Sequence, residues 1–143
     1  MRPLTAFTMY TILIVVNETD AYQLEALLEL ATVYPGSLTA AEVARRRQIP
    51  AKFLARLLGE LAREELVATT RGPRGGVRLA APPERIGLQQ VLRPEALPAT
   101  GGSAVRWLAR RLAEAHGDAL ASVKLAGLVK VEREQDATPS YEI

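Results

Sequence analysis

The chain has 143 residues, enough for one ordinary domain with an oligomerisation arm but too few for a multidomain enzyme. An apolar fraction of 48% and a charged fraction of 24% exclude collagen-like and fully disordered chains. The absence of cysteine excludes disulfides, thiolate nucleophiles and iron–sulfur clusters held by the chain's own thiolates. With His116 as the only histidine, one chain cannot build a histidine-based metal site.

Positive charge is concentrated in one part of the chain. The formal net charge is only +2, yet residues 45–78 carry a large excess of basic over acidic side chains. The basic residues are Arg45, Arg46, Arg47, Lys52, Arg56, Arg63, Arg71, Arg74 and Arg78, and the acidic ones are Glu60, Glu64 and Glu65. A protein that binds a duplex needs local positive charge facing the phosphates, so this excess favours nucleic acid as the partner.

Residues 1–16 precede the main pattern. The run Met9 to Val16 contains β-branched residues that suit a short strand, and the alternative is an extension outside the mature fold. The run is too short to span a bilayer and lacks the pattern of a secretory signal, which predicts a cytoplasmic protein without a membrane anchor.

Three helices are predicted next. Leucines at helical spacing mark the first helix, from about Asp20 to the breaker pair Pro35-Gly36. The capping box Thr39-Ala-Ala-Glu42 starts a second helix that runs to about Arg47. A third helix is predicted from Ala51 to Glu65, with one apolar face formed by Leu54, Leu57, Leu58 and Leu61.

A glycine-rich hairpin follows. Two β-type runs, Leu66 to Thr70 and Val77 to Leu79, flank the segment Arg71-Gly-Pro-Arg-Gly-Gly76. Another short helix is predicted over Ile86 to Leu92. The aperiodic segment 94–102, with its glycines and prolines, is predicted to be a loop at the domain's edge.

The remaining chain is predicted to form dimerisation helices over residues 103–131, followed by a flexible tail over 132–143. Apolar residues recur three and four apart along the first of these helices, which is typical of a helix that pairs with another. The predicted dimer interface consists of Val105, Trp107, Leu108, Leu112, Ala115 and Ala119. His116 is expected to be a surface or interface residue.

This order of elements predicts a mainly α fold with a small β-hairpin wing: a winged helix-turn-helix domain over 17–93, plus the long C-terminal helix. In that architecture the third helix enters the major groove while the wing reaches phosphates or the minor groove. The candidate DNA-binding residues are Lys52, Phe53, Arg56, Arg71, Arg74, Arg78, Arg46 and Thr39. Three alternatives stay open: a merely solvated basic face, a core position for Phe53, and arginines that only complement a helix dipole.

Several of these segments resemble the Rrf-two family of bacterial regulators over residues 17 to about 92. The resemblance is carried by Leu38 to Ala44, Ile49 to Leu54 and, most specifically, Arg71 to Gly76. It implies a homodimeric winged-helix transcription factor whose long helix forms most of the dimer contact. Glu65 stands where the family usually has glycine, and Val77 replaces the usual aromatic residue.

The resemblance also implies a cofactor, but this chain lacks the residues with which the family binds it. Family members commonly bind an iron–sulfur cluster through cysteines between the wing and the long helix, and residues 95–102 contain none. We therefore expect a regulator without a cofactor and without enzymatic activity, acting as a homodimeric repressor on a palindromic operator. A small-molecule effector, bound between the winged-helix domain and the long helix, stays open. The alternative function is a winged-helix module that binds an acidic protein partner.

Overall fold

The structure is a computed structural model that describes residues 18–92 and 102–137. The predicted strand or extension over 1–16 and almost all of the predicted loop over 94–102 lie outside the described residues. The helices are α1 (Glu18–Thr32), α2 (Ala40–Arg47), α3 (Ala51–Arg63), α4 (Ser103–Ala121) and α5 (Leu125–Ala137), and the strands are β1 (Val67–Thr70) and β2 (Gly76–Leu79).

The capping box predicted at the start of α2 is present. The Thr39 hydroxyl accepts a hydrogen bond from the Glu42 backbone N–H at 3.1 Å, and the Glu42 carboxylate accepts one from the Thr39 N–H at 2.8 Å. Two of the unpaired donors at the helix start are thereby satisfied. Gln48 ends α2 in the left-handed conformation, with φ of 53°.

The apolar face of α3 anchors the core. Leu54, Leu58 and Leu61 are buried in one cluster that includes Leu27 of α1 and Val43 of α2. Helix α3 therefore buries the apolar face whose spacing predicted it. Glu65, two residues beyond the end of α3, has φ of 59°, a conformation that glycine adopts without strain.

The wing is an antiparallel hairpin of β1 and β2, with Val67 opposite Leu79 and Thr70 opposite Gly76. Glycine is required in its turn, because a Cβ on Gly75 would lie 2.2 Å from the Thr70 carbonyl oxygen. Gly72 has φ of 105°, in the region that favours glycine. Val77 is buried and forms an isolated bridge with Leu38, which joins the wing to the start of α2.

The prediction of a helix over Ile86 to Leu92 is wrong. Two short 3₁₀ turns, Pro83–Arg85 and Leu88–Gln90, occupy this part of the chain, separated by extended backbone at Ile86. Tertiary pairing explains the difference: the Leu88 N–H donates to the Val123 carbonyl, and the Ile86 carbonyl accepts from the Leu125 N–H. These bonds replace the local ones that a helix would make.

The dimerisation helices predicted over residues 103–131 extend further than expected, because the second of them, α5, does not end at Val131. It continues to Ala137, so residues 132–137 are helical and not part of a flexible tail, while 138–143 lie outside the described residues. Leu125 and Val129 are buried in the core cluster, and α5 packs against α1 and the first 3₁₀ turn. No helix among the described residues has the length and apolar character needed to cross a bilayer.

Candidate nucleic-acid interface

The outer face of α3 is basic. Lys52 and Arg56 are exposed and lie one turn apart, on the side of the helix away from Leu54, Leu57 and Leu61, which are buried. Arg56 is held by two neighbours: its guanidinium lies 4.8 Å from the centroid of the Phe53 ring, and its Nε lies 4.0 Å from a Glu60 carboxylate oxygen. Both contacts are exposed enough to be exchanged for a phosphate or a base edge.

Phe53 lies on the inner side of this surface. Its ring is half-buried against the core and meets Tyr22 of α1 edge to face, with centroids 5.3 Å apart. Phe53 thus packs against the core, as the alternative interpretation of this residue holds. The side chain supports Arg56 and joins α3 to α1.

The wing presents the second group of cations. Arg71 and Arg74 lie in the turn between β1 and β2, Arg78 lies on β2, and all three are exposed. The hairpin contains no acidic residue from 66 to 80, so these guanidinium groups have no partner within it. The turn therefore offers two arginines at its tip for contact with phosphates or a narrow minor groove.

Thr39 and Arg46 are already engaged within the protein. The Thr39 hydroxyl also donates to the Glu42 carboxylate at 3.1 Å. Hydrogen bonds from the Thr39 backbone and then from its hydroxyl hold the pKa of Glu42 below its ordinary value. Arg46 donates from Nη1 to Glu29 at 3.0 Å, although its side chain remains 39% exposed.

Arg47 is turned into the protein, a position that the sequence did not predict. Its Nε donates to Glu29 at 2.7 Å, its Nη1 donates to Glu25 at 2.8 Å and to Glu132, and its Nη2 donates to Glu132 at 3.1 Å. Burial alone would raise the pKa of Glu29, but the hydrogen bonds and charges of Arg47 and Arg46 outweigh it and hold that pKa below its ordinary value. A sign in the sequence that an arginine could bind here is the spacing of Glu25 and Glu29, which places two carboxylates one turn apart on α1.

Helix α4 carries an exposed apolar stripe. Val105 is 55% exposed, Leu108 51% and Leu112 61%. Ala115 and Ala119, which also belong to the predicted dimer interface, are exposed as well. Trp107 is 66% exposed, but a rotation of about 100° per residue places it to one side of Leu108 and off this stripe.

A groove of about 450 Å³ lies between the end of α1, the first 3₁₀ turn and α5. Tyr34, Pro83 and Val129 supply apolar surface, and Lys130 and Arg133 are among the charged residues that line it. It does not lie between the winged-helix domain and the long helix, the place where the sequence left an effector site open. On α4, the Nε2 atom of His116 is buried without a hydrogen-bond partner among the described residues.

Comparison with known proteins decides the family. A family model described as "Rrf2: Iron-dependent Transcriptional regulator" matches residues 16–131. The chain belongs to the Rrf2 (Rrf-two) family. The resemblance noted in the sequence is thereby confirmed, and it extends through α4 and most of α5.

Individual relatives of this Rrf2 chain are transcriptional regulators and not enzymes. The HTH-type transcriptional regulator IscR of Cereibacter sphaeroides is 35% identical over 74 residues, which is 50% of this chain and 48% of that protein. A Synechocystis protein, also named as an HTH-type transcriptional regulator, is 41% identical over 73 residues, covering 50% and 49% of the two chains. The chain thus spans about half the length of the curated relatives it matches.

Solved structures confirm the winged-helix fold. IscR of T. potens superposes with a TM-score of 0.74 at 24% identity, covering 88% of this chain and 93% of that one. CymR of B. subtilis, titled a global cysteine regulator, superposes with a TM-score of 0.65 at 25% identity, covering 81% and 96%.

The iron named in the family description does not fit the residues of this Rrf2 chain. Cysteine is absent, and the described residues contain no group of three or more His, Cys, Asp or Glu side chains arranged to hold a metal ion. Where Glu25, Glu29 and Glu132 converge, the space between their carboxylates holds the Arg47 guanidinium. Residues 18–92 and 102–137 therefore offer iron no set of ligands.

Proposed function

We propose that this Rrf2 protein is a sequence-specific DNA-binding repressor that acts as a homodimer on a palindromic operator. One observation carries the proposal: the wing, with its exposed arginines, is hydrogen-bonded to the helix-turn-helix that presents the exposed basic face of α3. Leu38 links them, because it precedes the N-cap of α2 and pairs with Val77 of the wing.

The two basic surfaces divide the work of recognition. α3 enters the major groove, where Lys52 and Arg56 reach guanine edges or phosphates. Arg71 and Arg74 at the tip of the wing contact the adjacent minor groove or its phosphates. Arg78, on the outer side of β2, adds a phosphate contact near the base of the hairpin.

A second copy of the chain completes the regulator. An exposed stripe formed by Val105, Leu108 and Leu112 is costly to leave in water, and pairing with the same stripe of another chain covers it. A two-fold dimer presents two α3 helices to half-sites spaced by about one helical turn or more. Occupation of such a site excludes other proteins from it, which is the basis of repression.

Selection of duplexes from a random DNA pool by the purified protein tests the proposal. Recovered sites are then titrated at two salt concentrations. We expect a two-fold symmetric motif whose affinity falls steeply with salt, since several phosphates are neutralised on binding. Recovery of no motif, with weak binding that does not depend on sequence, would contradict the proposal and favour the alternative of an acidic protein partner.

A further inference from the structure

Arg47 connects three helices through one guanidinium group. It is the last residue of α2, its side chain is only 14% exposed, and its carboxylate partners come from α1 and α5. Glu25 and Glu29 belong to α1, the helix that packs beneath the helix-turn-helix. Glu132 belongs to α5 and lies 85 positions after Arg47 in the chain. Its carboxylate accepts hydrogen bonds from both terminal nitrogens of the guanidinium.

The position of Arg47 bears directly on α3. Only Gln48, Ile49 and Pro50 separate it from the first residue of that helix. This connection is stiff, because the Ile49 N–H donates to the Ala44 carbonyl at 3.0 Å and Ile49 itself is buried. A shift of the end of α2 is therefore passed to the start of α3, where Lys52 lies.

At the other side of the contact, α5 follows closely on α4, the helix of the proposed dimer contact. Residues 122–124 connect it to α4, which carries the exposed apolar stripe. The Leu125 N–H holds the start of α5 to the Ile86 carbonyl at 2.8 Å. The contact of Glu132 with Arg47 thus links the helix-turn-helix to α5, the helix that directly follows α4.

The charges around Arg47 allow this contact to be released. Three carboxylates, those of Glu25, Glu29 and Glu132, face two guanidinium groups. Without Glu132, Arg47 retains Glu25 and Glu29 as partners, so no buried charge is left unpaired and the usual large cost of breaking a buried ion pair does not apply. Release of Glu132 therefore leaves the Arg47 guanidinium paired with two carboxylates of α1.

We propose that Glu132 and Arg47 form a positioning contact through which α5 sets the orientation of the helix-turn-helix and so regulates operator binding. This proposal rests on the proposed DNA-binding function. Any event that displaces α5, such as rearrangement of α4 in the dimer or occupation of the groove that α5 lines, changes operator affinity through this contact. Glu132 and Arg47 themselves do not touch DNA.

The test compares Glu132→Gln with Glu134→Gln in the full chain. Glutamine keeps the size of the side chain and removes the charge. Glu134 is the matched control, because it lies on the same helix and its ion pair with Lys130 is exposed. Three quantities are measured where all proteins are fully folded: affinity for the selected operator, affinity for an unrelated duplex, and hydrogen exchange of the α2 amides.

We expect Glu132→Gln to weaken operator binding by roughly 2- to 30-fold, the range typical of coupling between sites. Binding to the unrelated duplex should not change, because it depends on the exposed cations and not on the orientation of α3. Exchange of the α2 amides should accelerate in Glu132→Gln only. A purely structural contact would alter stability without changing the ratio of operator to unrelated-duplex affinity.

Failure of this proposal is distinguishable from failure of the proposed function. If the unmodified protein prefers no sequence, the proposed function fails, and hydrogen exchange alone decides whether Glu132 restrains α2. If the unmodified protein binds an operator and Glu132→Gln binds it equally well with unchanged exchange, the positioning contact is refuted. Equal losses in Glu132→Gln and Glu134→Gln would also refute it, since the effect would then belong to charge on α5 in general.

Discussion

Leu38 and Val77 exchange two backbone hydrogen bonds, from Leu38 N–H to the Val77 carbonyl at 3.0 Å and from Val77 N–H to the Leu38 carbonyl at 2.7 Å. This short pairing adds a third extended segment to the two-stranded wing. It also ties the wing to the residue that precedes the N-cap of α2. The wing and the helix-turn-helix are therefore joined at this point, and a side chain introduced at the junction should disturb both.

Gly76→Ala should lower the free energy of unfolding by about 1–3 kcal/mol. A Cβ at this position would lie 2.9 Å from the Leu38 carbonyl oxygen and 3.2 Å from the Ser37 hydroxyl, so the pairing with Leu38 must open. The measurement is urea denaturation followed by circular dichroism. Gly59→Ala is the control: it lies in α3 with no atom within 4 Å of a new Cβ, and it should stabilise by about 0.5–1 kcal/mol. Equal stability of Gly76→Ala and the unmodified protein would contradict the close approach.

Glu65→Gly should stabilise the protein by about 0.5–1 kcal/mol, because Glu65 holds φ of 59° after the end of α3 and glycine adopts that conformation without strain. Glu64→Gly provides the comparison. The neighbouring residue has φ of −84°, so glycine there relieves no strain, adds freedom to the unfolded chain and should destabilise the protein. Thermal unfolding of the two variants should move in opposite directions, and a lower melting temperature for Glu65→Gly would contradict the argument.

Local chemistry in the sequence predicted the elements that depend on neighbours in the chain. The capping box at Thr39 marked the start of α2, and the leucine spacing of α3 marked its buried face. The glycines at 75 and 76 marked the turn of the wing. In each case the signal and the structure that it specifies lie within about one turn of helix or hairpin.

Long-range pairing accounts for what the sequence did not reveal. Ile86 and Leu88 bond to the backbone around α5, which replaces the predicted helix by two turns. The inward position of Arg47 could not be predicted for the same reason, because its partner Glu132 lies 85 positions later in the sequence. Three adjacent arginines gave no indication that one of them faces inward.

Arg71→Ala and Arg74→Ala should each weaken DNA binding and reduce the dependence of log affinity on log salt by about 0.9, the value for one phosphate contact. Both side chains are exposed at the tip of the wing, so their removal should leave the fold intact. Affinity is measured by fluorescence anisotropy over a range of salt concentrations. Arg85→Ala removes an exposed arginine from the first 3₁₀ turn and should leave the slope unchanged. Unchanged slopes for both wing variants would remove the wing from the proposed interface.

Leu112→Glu should weaken self-association by roughly 30-fold or more, because the change places an unpaired charge in the centre of the apolar stripe of α4. Leu112 is 61% exposed in the single chain, so the folded monomer tolerates the new side chain. Sedimentation velocity over a concentration series measures the change. Arg110→Glu, two positions earlier and about 200° around the helix, should leave association intact. If both variants remain dimeric, the two-fold contact lies elsewhere.

The ion cluster around Glu29 should make stability depend on acid pH. Arg47 and Arg46 hold the folded-state pKa of Glu29 below its ordinary value of 4.5, against the opposing effect of burial. The stabilisation from this carboxylate is therefore fully present above the unfolded-state pKa and is lost as the pH falls through the folded-state pKa. Glu29→Gln removes it at every pH, so the difference in unfolding free energy between the two proteins should be largest near neutrality and shrink below about pH 4.5.

Urea denaturation of both proteins between neutral and acid pH measures this difference. Glu114→Gln is the control, because Glu114 lies exposed on α4 beside Arg111 and an exposed pair contributes little. Its stability should follow that of the unmodified protein over the whole range. A difference for Glu29→Gln that stays constant down to the most acid pH would mean that the charge of Glu29 does not stabilise the fold, and that the glutamine acts only through packing.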